Sequence, residues 1–132
     1  MRHLIIGGIA FILHGVPRAT FGLDILIETS LDNAQRLLQA LLDGGMATAF
    51  LTTAEDVLAN EIAVFKDRAR IDVLTCAPGI EFKKAWLNRE TMEYQGQEFF
   101  VLSKKDLIVS KRESGRDIDI EDVRLLELTP EE

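Results

Sequence analysis

Phe21-Gly22-Leu23-Asp24-Ile25-Leu26-Ile27-Glu28 alternates with a period of two, the period of an extended strand. Gly22, Asp24, Leu26 and Glu28 then share one face, and Phe21, Leu23, Ile25 and Ile27 share the other. Asp24 stands between Leu23 and Ile25, and a carboxylate among apolar neighbours is costly unless it is paired or bound to a cation. The same pattern recurs in Ile71-Asp72-Val73. Two such aspartates on neighbouring strands have the chemistry to hold a divalent ion, because Mg²⁺ takes carboxylate and phosphate oxygens. The plainer alternative, open for each aspartate taken alone, is that it ends its strand at a solvent-exposed rim.

Working outward from this strand, His3 to Ile6 reads as a short buried strand stopped by Gly7-Gly8. The apolar stretch 9–13 reads as a short helix ending at His14-Gly15, with Pro17 just beyond. On the other side, Ser30 or Asp32 caps a helix whose Leu37, Leu38, Leu41 and Leu42 recur at helical spacing, and Gly44-Gly45 ends it. A strand over 47–51 and a short helix over 54–60 follow. Strands 62–65 and 71–75 are joined by the polar turn Lys66-Asp67-Arg68-Ala69 and predict a hairpin. A helix over 81–88, a second hairpin over 93–102 turning at Gln95-Gly96, and helices over 104–114 and 120–127 broken at Gly115 complete the chain. Strands and helices mixed in this way predict an α/β (α+β) fold, a mixed sheet flanked by helices, with residues 1–132 as a single domain.

The chain is long enough to close one sizeable core, and its 47% hydrophobic and 28% charged residues place it among ordinary globular proteins instead of disordered ones. No apolar run approaches the ~18 residues that would cross a bilayer. The segment from Leu4 to Leu13 follows Arg2 as a secretion signal would, but it lacks a small-residue cleavage site and glycines punctuate it, so a cytoplasmic protein is expected. A net charge of −7 argues against broad DNA binding and against acidic membranes. The one cysteine, Cys76, has no neighbouring ligand residues and is expected to be a buried structural thiol.

Charge is unevenly placed near the C-terminus. From Ser103 to Arg116 five basic residues face two acidic ones, a local +3, whereas from Asp117 to Glu132 one basic residue faces seven acidic ones, a local −6. Lys111 follows Leu107 by four and Ile108 by three, so it shares their apolar stripe. Such a lysine either snorkels to the surface or is aimed into a cleft as a point charge for phosphate. At the other end, Gly7-Gly8 between a strand and a helix lets a ligand approach the backbone, with helix N–H groups offered to an anion. A glycine pair also simply makes a tight turn.

Taken together, Gly7-Gly8-Ile9-Ala10, His14-Gly15-Val16-Pro17-Arg18-Ala19-Thr20 and the Asp24 strand resemble the opening of nucleotidyltransferase domains of the AbiEii toxin and minimal nucleotidyltransferase type. Ile71-Asp72-Val73-Leu74 is similar to the strand bearing their third carboxylate. Leu107-Ile108-Val109-Ser110-Lys111-Arg112-Glu113-Ser114-Gly115-Arg116, followed by Asp119 and Asp122, resembles their C-terminal helices.

The resemblance implies a mixed sheet with the site at one edge and a nucleoside triphosphate seated on the glycine turn. Gly7, Gly8, Arg18 and Thr20 would line the nucleotide, and Lys111 would meet its phosphates. An Asp-x-Asp pair and a third Asp would bind Mg²⁺, orienting a hydroxyl on a protein or an RNA for attack on the α-phosphorus. A toxin–antitoxin setting is part of the same implication. Here the first Asp of Asp-x-Asp is Gly22, and Glu28, four residues beyond Asp24 or roughly 13 Å along a strand, cannot replace it. Asp24 and Asp72 would then be the catalytic, metal-holding pair, binding Mg²⁺ weakly, with transfer impaired. The alternative is a catalytically inactive nucleotide- or protein-binding module with the same fold.

Overall fold

The computed structural model describes residues 1–20 and 22–130, with the side chains of 117–119 left aside. Phe21 therefore lies outside the described residues, and so does the side chain of Asp119. The strands are β1 (His3–Ile6), β2 (Leu23–Ile27), β3 (Ile62–Lys66), β4 (Arg70–Leu74), β5 (Glu90–Tyr94) and β6 (Gln97–Val101). They form one sheet in the order β3-β4-β2-β1-β6-β5. β1 runs antiparallel to β2 and parallel to β6, β2 runs parallel to β4, and the outer pairs β3/β4 and β5/β6 are antiparallel hairpins. The expected mixed sheet is therefore present, with its first strand in the interior.

The helices are α1 (Gly7–Leu13), α2 (Leu31–Asp43), α3 (Ala54–Ala59), α4 (Phe82–Leu87), α5 (Lys104–Ser114) and α6 (Asp117–Glu127). α2 starts where its cap predicts: Ser30 accepts a hydrogen bond from the Asn33 N–H. Asn33 is itself buried, and it clamps two strand ends. It accepts from the Arg2 N–H at 2.7 Å and donates to the carbonyls of Arg2 and Glu28 at 2.9 and 2.8 Å. The carbonyl of Glu28 is thus turned toward α2, and β2 stops one residue earlier, at Ile27. Leu37, Leu38 and Leu41 of α2 enter the core with Leu4, Phe11, Leu26 and Ile27. α5 and α6 pack on one another across Gly115, which adopts φ +69 at the end of α5.

Several expectations need correction. Ala47–Leu51 is a 3-10 turn, not a strand. Its buried Ala49 lies three after the buried Met46 that precedes the turn, as a 3-10 turn stacks them, and Phe50 and Leu51 stay exposed. Cys76 is exposed, because it falls past the end of β4 instead of in it. The first helix begins at Gly7, whose φ of +68 lets β1 turn straight into α1 without a connecting loop. The second hairpin starts at Glu90 and α6 starts at Asp117, each earlier than predicted. Among the described residues no helix is long and apolar enough to cross a membrane.

Candidate functional site

Parallel pairing of β2 with β4 sets Asp24 directly opposite Asp72, one step along from Leu23 opposite Ile71. Opposed residues rise from the same face of a sheet, so the two carboxylates stand side by side. Their face continues through Ile6 on β1 and Val64 on β3, which pair with Asp24 and Asp72 respectively.

Gly7 lies immediately under Asp24. A Cβ built on Gly7 would come 2.3 Å from Asp24 Oδ2, so any side chain there would collide with the carboxylate. On the other side of the turn, a Cβ on Gly8 would stand 3.0 Å from Thr20 Oγ1 and 3.8 Å from Arg18 Nε. Thr20 Oγ1 donates to the Gly22 carbonyl at 2.8 Å, which fixes the approach to β2. Gly7, Gly8, Arg18, Thr20 and Asp24 are thus brought together around one glycine turn.

Lys111 reaches the same place from α5. Along with Gly7, Asp24, Ile6, Leu74 and Leu107 it lines a cleft of about 230 Å³. Its Nζ lies 5.3 Å from the centre of the Phe11 ring, and the Arg18 guanidinium stands at the same distance from that ring. Arg18 is also held by Asp122 of α6, Nη1 to Oδ2 at 2.7 Å, with both side chains mostly buried. Gly8, Arg18, Thr20 and Asp72 are not among the residues that line the cleft. A larger cavity of about 300 Å³, lined by His14, Gly15, Glu90 and the start of α5, lies away from the carboxylate pair.

Burial pushes the Asp24 carboxyl above its usual range. The negative charge of Asp72, and a hydrogen bond shared with it, act in the same direction, while Arg70 and Lys111 pull against them. Arg70 grips Asp72 with a fork of two contacts, Nε to Oδ1 at 3.0 Å and Nη2 to Oδ2 at 3.4 Å. That hydrogen bond, aided by the charge of Asp72, raises the Arg70 guanidinium above its ordinary value.

The fit to a pair of divalent ions can be tested on this geometry. Among the described residues no group of three His, Cys, Asp or Glu side chains gathers around a common point. The position that would supply a further carboxylate is closed, since a Cβ on Gly22 would come 2.6 Å from the Arg70 carbonyl oxygen. Asp72 already has a cation, Arg70. The described residues therefore do not fit a two-ion arrangement.

Arg70 and Asp122 are absent from the sequence-predicted set. Arg70 was recoverable, because it precedes Asp72 by two and so shares its face. No spacing rule reveals that Asp122 meets Arg18, 104 positions away.

A family model described as "Nucleotidyltransferase of unknown function (DUF6036)" matches residues 1–131. No curated protein matches the chain. Among solved structures, an antigenic nucleotidyltransferase-like protein from Paracoccidioides brasiliensis is similar over 95% of this chain, with a TM-score of 0.53 and 16% identity. The chain spans 66% of that protein, a little under two thirds of its length. At this identity the likeness is one of fold.

Proposed function

Because the chain belongs to the DUF6036 family of nucleotidyltransferases, we propose that it binds a nucleoside triphosphate over Gly7-Gly8 and is impaired in nucleotidyl transfer to a protein or RNA hydroxyl. The observation that carries this reading is the convergence of Gly7, Asp24 and Lys111 on one cleft. Three features of the chain support an anion there. The first N–H groups of α1 have no side-chain cap, because Ile6 precedes the helix. Lys111 supplies a positive charge to the cleft lining, and Arg18 stands against the same Phe11 ring. The glycine turn keeps the backbone bare enough for close approach.

In the reaction of this class, a hydroxyl oxygen bonds to the α-phosphorus, the bond between α-phosphorus and its bridging oxygen breaks, and pyrophosphate leaves. Divalent ions supply charge neutralisation in such transfers. Asp24 and Asp72 would be the residues to hold one. The crowding at Gly22 and the grip of Arg70 on Asp72 favour the second reading, a nucleotide-binding module without transfer activity.

Calorimetry with ATP, CTP, GTP and UTP, each with and without Mg²⁺, tests the proposal. At least one nucleotide should bind the wild type. Lys111→Ala should weaken that binding about tenfold or more, as expected on losing one charge-assisted phosphate contact, and leave Tm nearly unchanged. If no nucleotide binds, the nucleotide reading is wrong; if Lys111→Ala loses much of its stability while binding persists, Lys111 is structural and does not meet the phosphates.

A further inference from the structure

Two carboxylates placed side by side need a cation nearby, since each raises the cost of the other's charge. In this chain one such cation is covalently part of β4, beside the Lys111 charge that acts on Asp24 from α5. Arg70 and Asp72 lie two apart on that strand, so both side chains rise from one face, and the guanidinium folds back over its own strand onto the carboxylate. Its planar fork matches both oxygens of Asp72, at 3.0 and 3.4 Å, and its positive charge also reaches Asp24. The backbone of the same residue closes the neighbouring position: the Arg70 carbonyl oxygen would lie 2.6 Å from a Cβ on Gly22 and the Arg70 Cβ 3.1 Å from it. One residue thus neutralises Asp72 with its side chain and shuts out a third carboxylate with its main chain.

We propose that Arg70 is the built-in cation of the carboxylate pair, holding Asp72 where a divalent ion would otherwise sit, so that the adjoining cleft takes phosphate without metal and the pair admits a divalent ion only when Arg70 is removed. The proposal rests on the nucleotide reading for the identity of the anion, but not for the exclusion of metal. A guanidinium stays charged at every accessible pH and is more weakly hydrated than an ammonium, so it forms a stable partner for a half-buried carboxylate. An incoming divalent ion would meet like charge within a few ångströms, a repulsion that lowers affinity by at least about tenfold.

Mn²⁺ alone is the probe, titrated against each protein by its electron paramagnetic resonance signal, with Tm recorded in parallel. The wild type should bind Mn²⁺ weakly and show a flat Tm across the titration. Arg70→Met should bind at least about tenfold more tightly and melt higher as Mn²⁺ rises. Arg70→Met combined with Asp72→Asn should return to the flat response. Arg70→Lys, which keeps the charge and loses the fork, should stay close to the wild type. The Arg70 side chain is 46% exposed, so its loss should not prevent folding; circular dichroism checks this, and Arg70→Gln replaces the Met variant if needed. Equal Mn²⁺ binding by wild type and Arg70→Met, whether tight in both or undetectable in both, overturns the proposal. ATP binding without metal is measured on the wild type separately. Its failure would remove the nucleotide reading and leave the Mn²⁺ comparison standing.

Discussion

A carboxylate resting against a glycine and facing a second carboxylate has little water left to stabilise its charge. That is the situation of Asp24, and burial followed by the charge of Asp72 raises its pKa. The folded chain therefore holds the Asp24 proton to a higher pH than the unfolded chain does. Between the ordinary carboxylate value of 3.8 and the raised one, the folded state binds more protons, so this group's contribution to stability falls as pH rises. Above that window the ionised carboxylate carries its full penalty. Asp24→Asn removes the charge, keeps the shape, and can donate a hydrogen bond to Asp72. It should melt higher than the wild type at neutral pH, and the difference should shrink as pH falls through the window toward 3.8. Thermal melts of both proteins across that range check it; a difference independent of pH would place the effect elsewhere than in this ionisation.

At the scale of elements, the junction of β2 and β4 is tighter than a strand sequence alone suggests. Gly22→Asp would press a side chain onto the Arg70 carbonyl, and overpacking of this kind costs roughly 1–3 kcal/mol. The variant should lose about that much stability with or without Mg²⁺; a metal-dependent recovery of Tm would show that the junction opens to admit a ligand. The same place marks the boundary of what the sequence reveals. Alternation in 22–28 and 71–74 identifies both strands and the faces of Asp24 and Asp72, because a strand's period is local. The reason for Gly22 is not local: it is set by the backbone of a partner strand almost fifty residues further on. A reader of one strand sees a missing ligand there, whereas the pair of strands leaves no room for one. Arg70 is different: its spacing from Asp72 puts it on the same face, although it follows the polar turn 66–69 and looks like part of it. The 3-10 turn at Ala47–Leu51 escaped because a short, mostly apolar run reads equally as a strand, while burial selects positions three apart.

Across the whole molecule, residues from the first twenty positions are tied to the stretch from 102 onward. Arg18 bonds Asp122, His14 Nε2 meets the Leu102 carbonyl at 2.9 Å, and Lys104 Nζ donates to the Thr129 carbonyl beside them. β1 receives β6 on its open side, with the Leu102 N–H donating to the Ile5 carbonyl at 3.0 Å. A fragment of residues 1–96 would lose Val101, Leu102, Leu107 and Leu126 from the core and leave β1 as an unpaired edge. It should show no cooperative thermal transition and should bind hydrophobic dyes; a sharp two-state melt would mean that the core closes without the C-terminal helices. The interior position of β1 also bears on synthesis. Ribosomes deliver the chain from its N-terminus at about 5–20 residues per second, so β1, the first strand made, waits roughly 5–20 s for its last neighbour. Throughout that interval Leu4, Ile5 and Ile6, all buried in the finished protein, offer an apolar edge to whatever is near, and the nascent chain presents to chaperones a segment that it will later enclose.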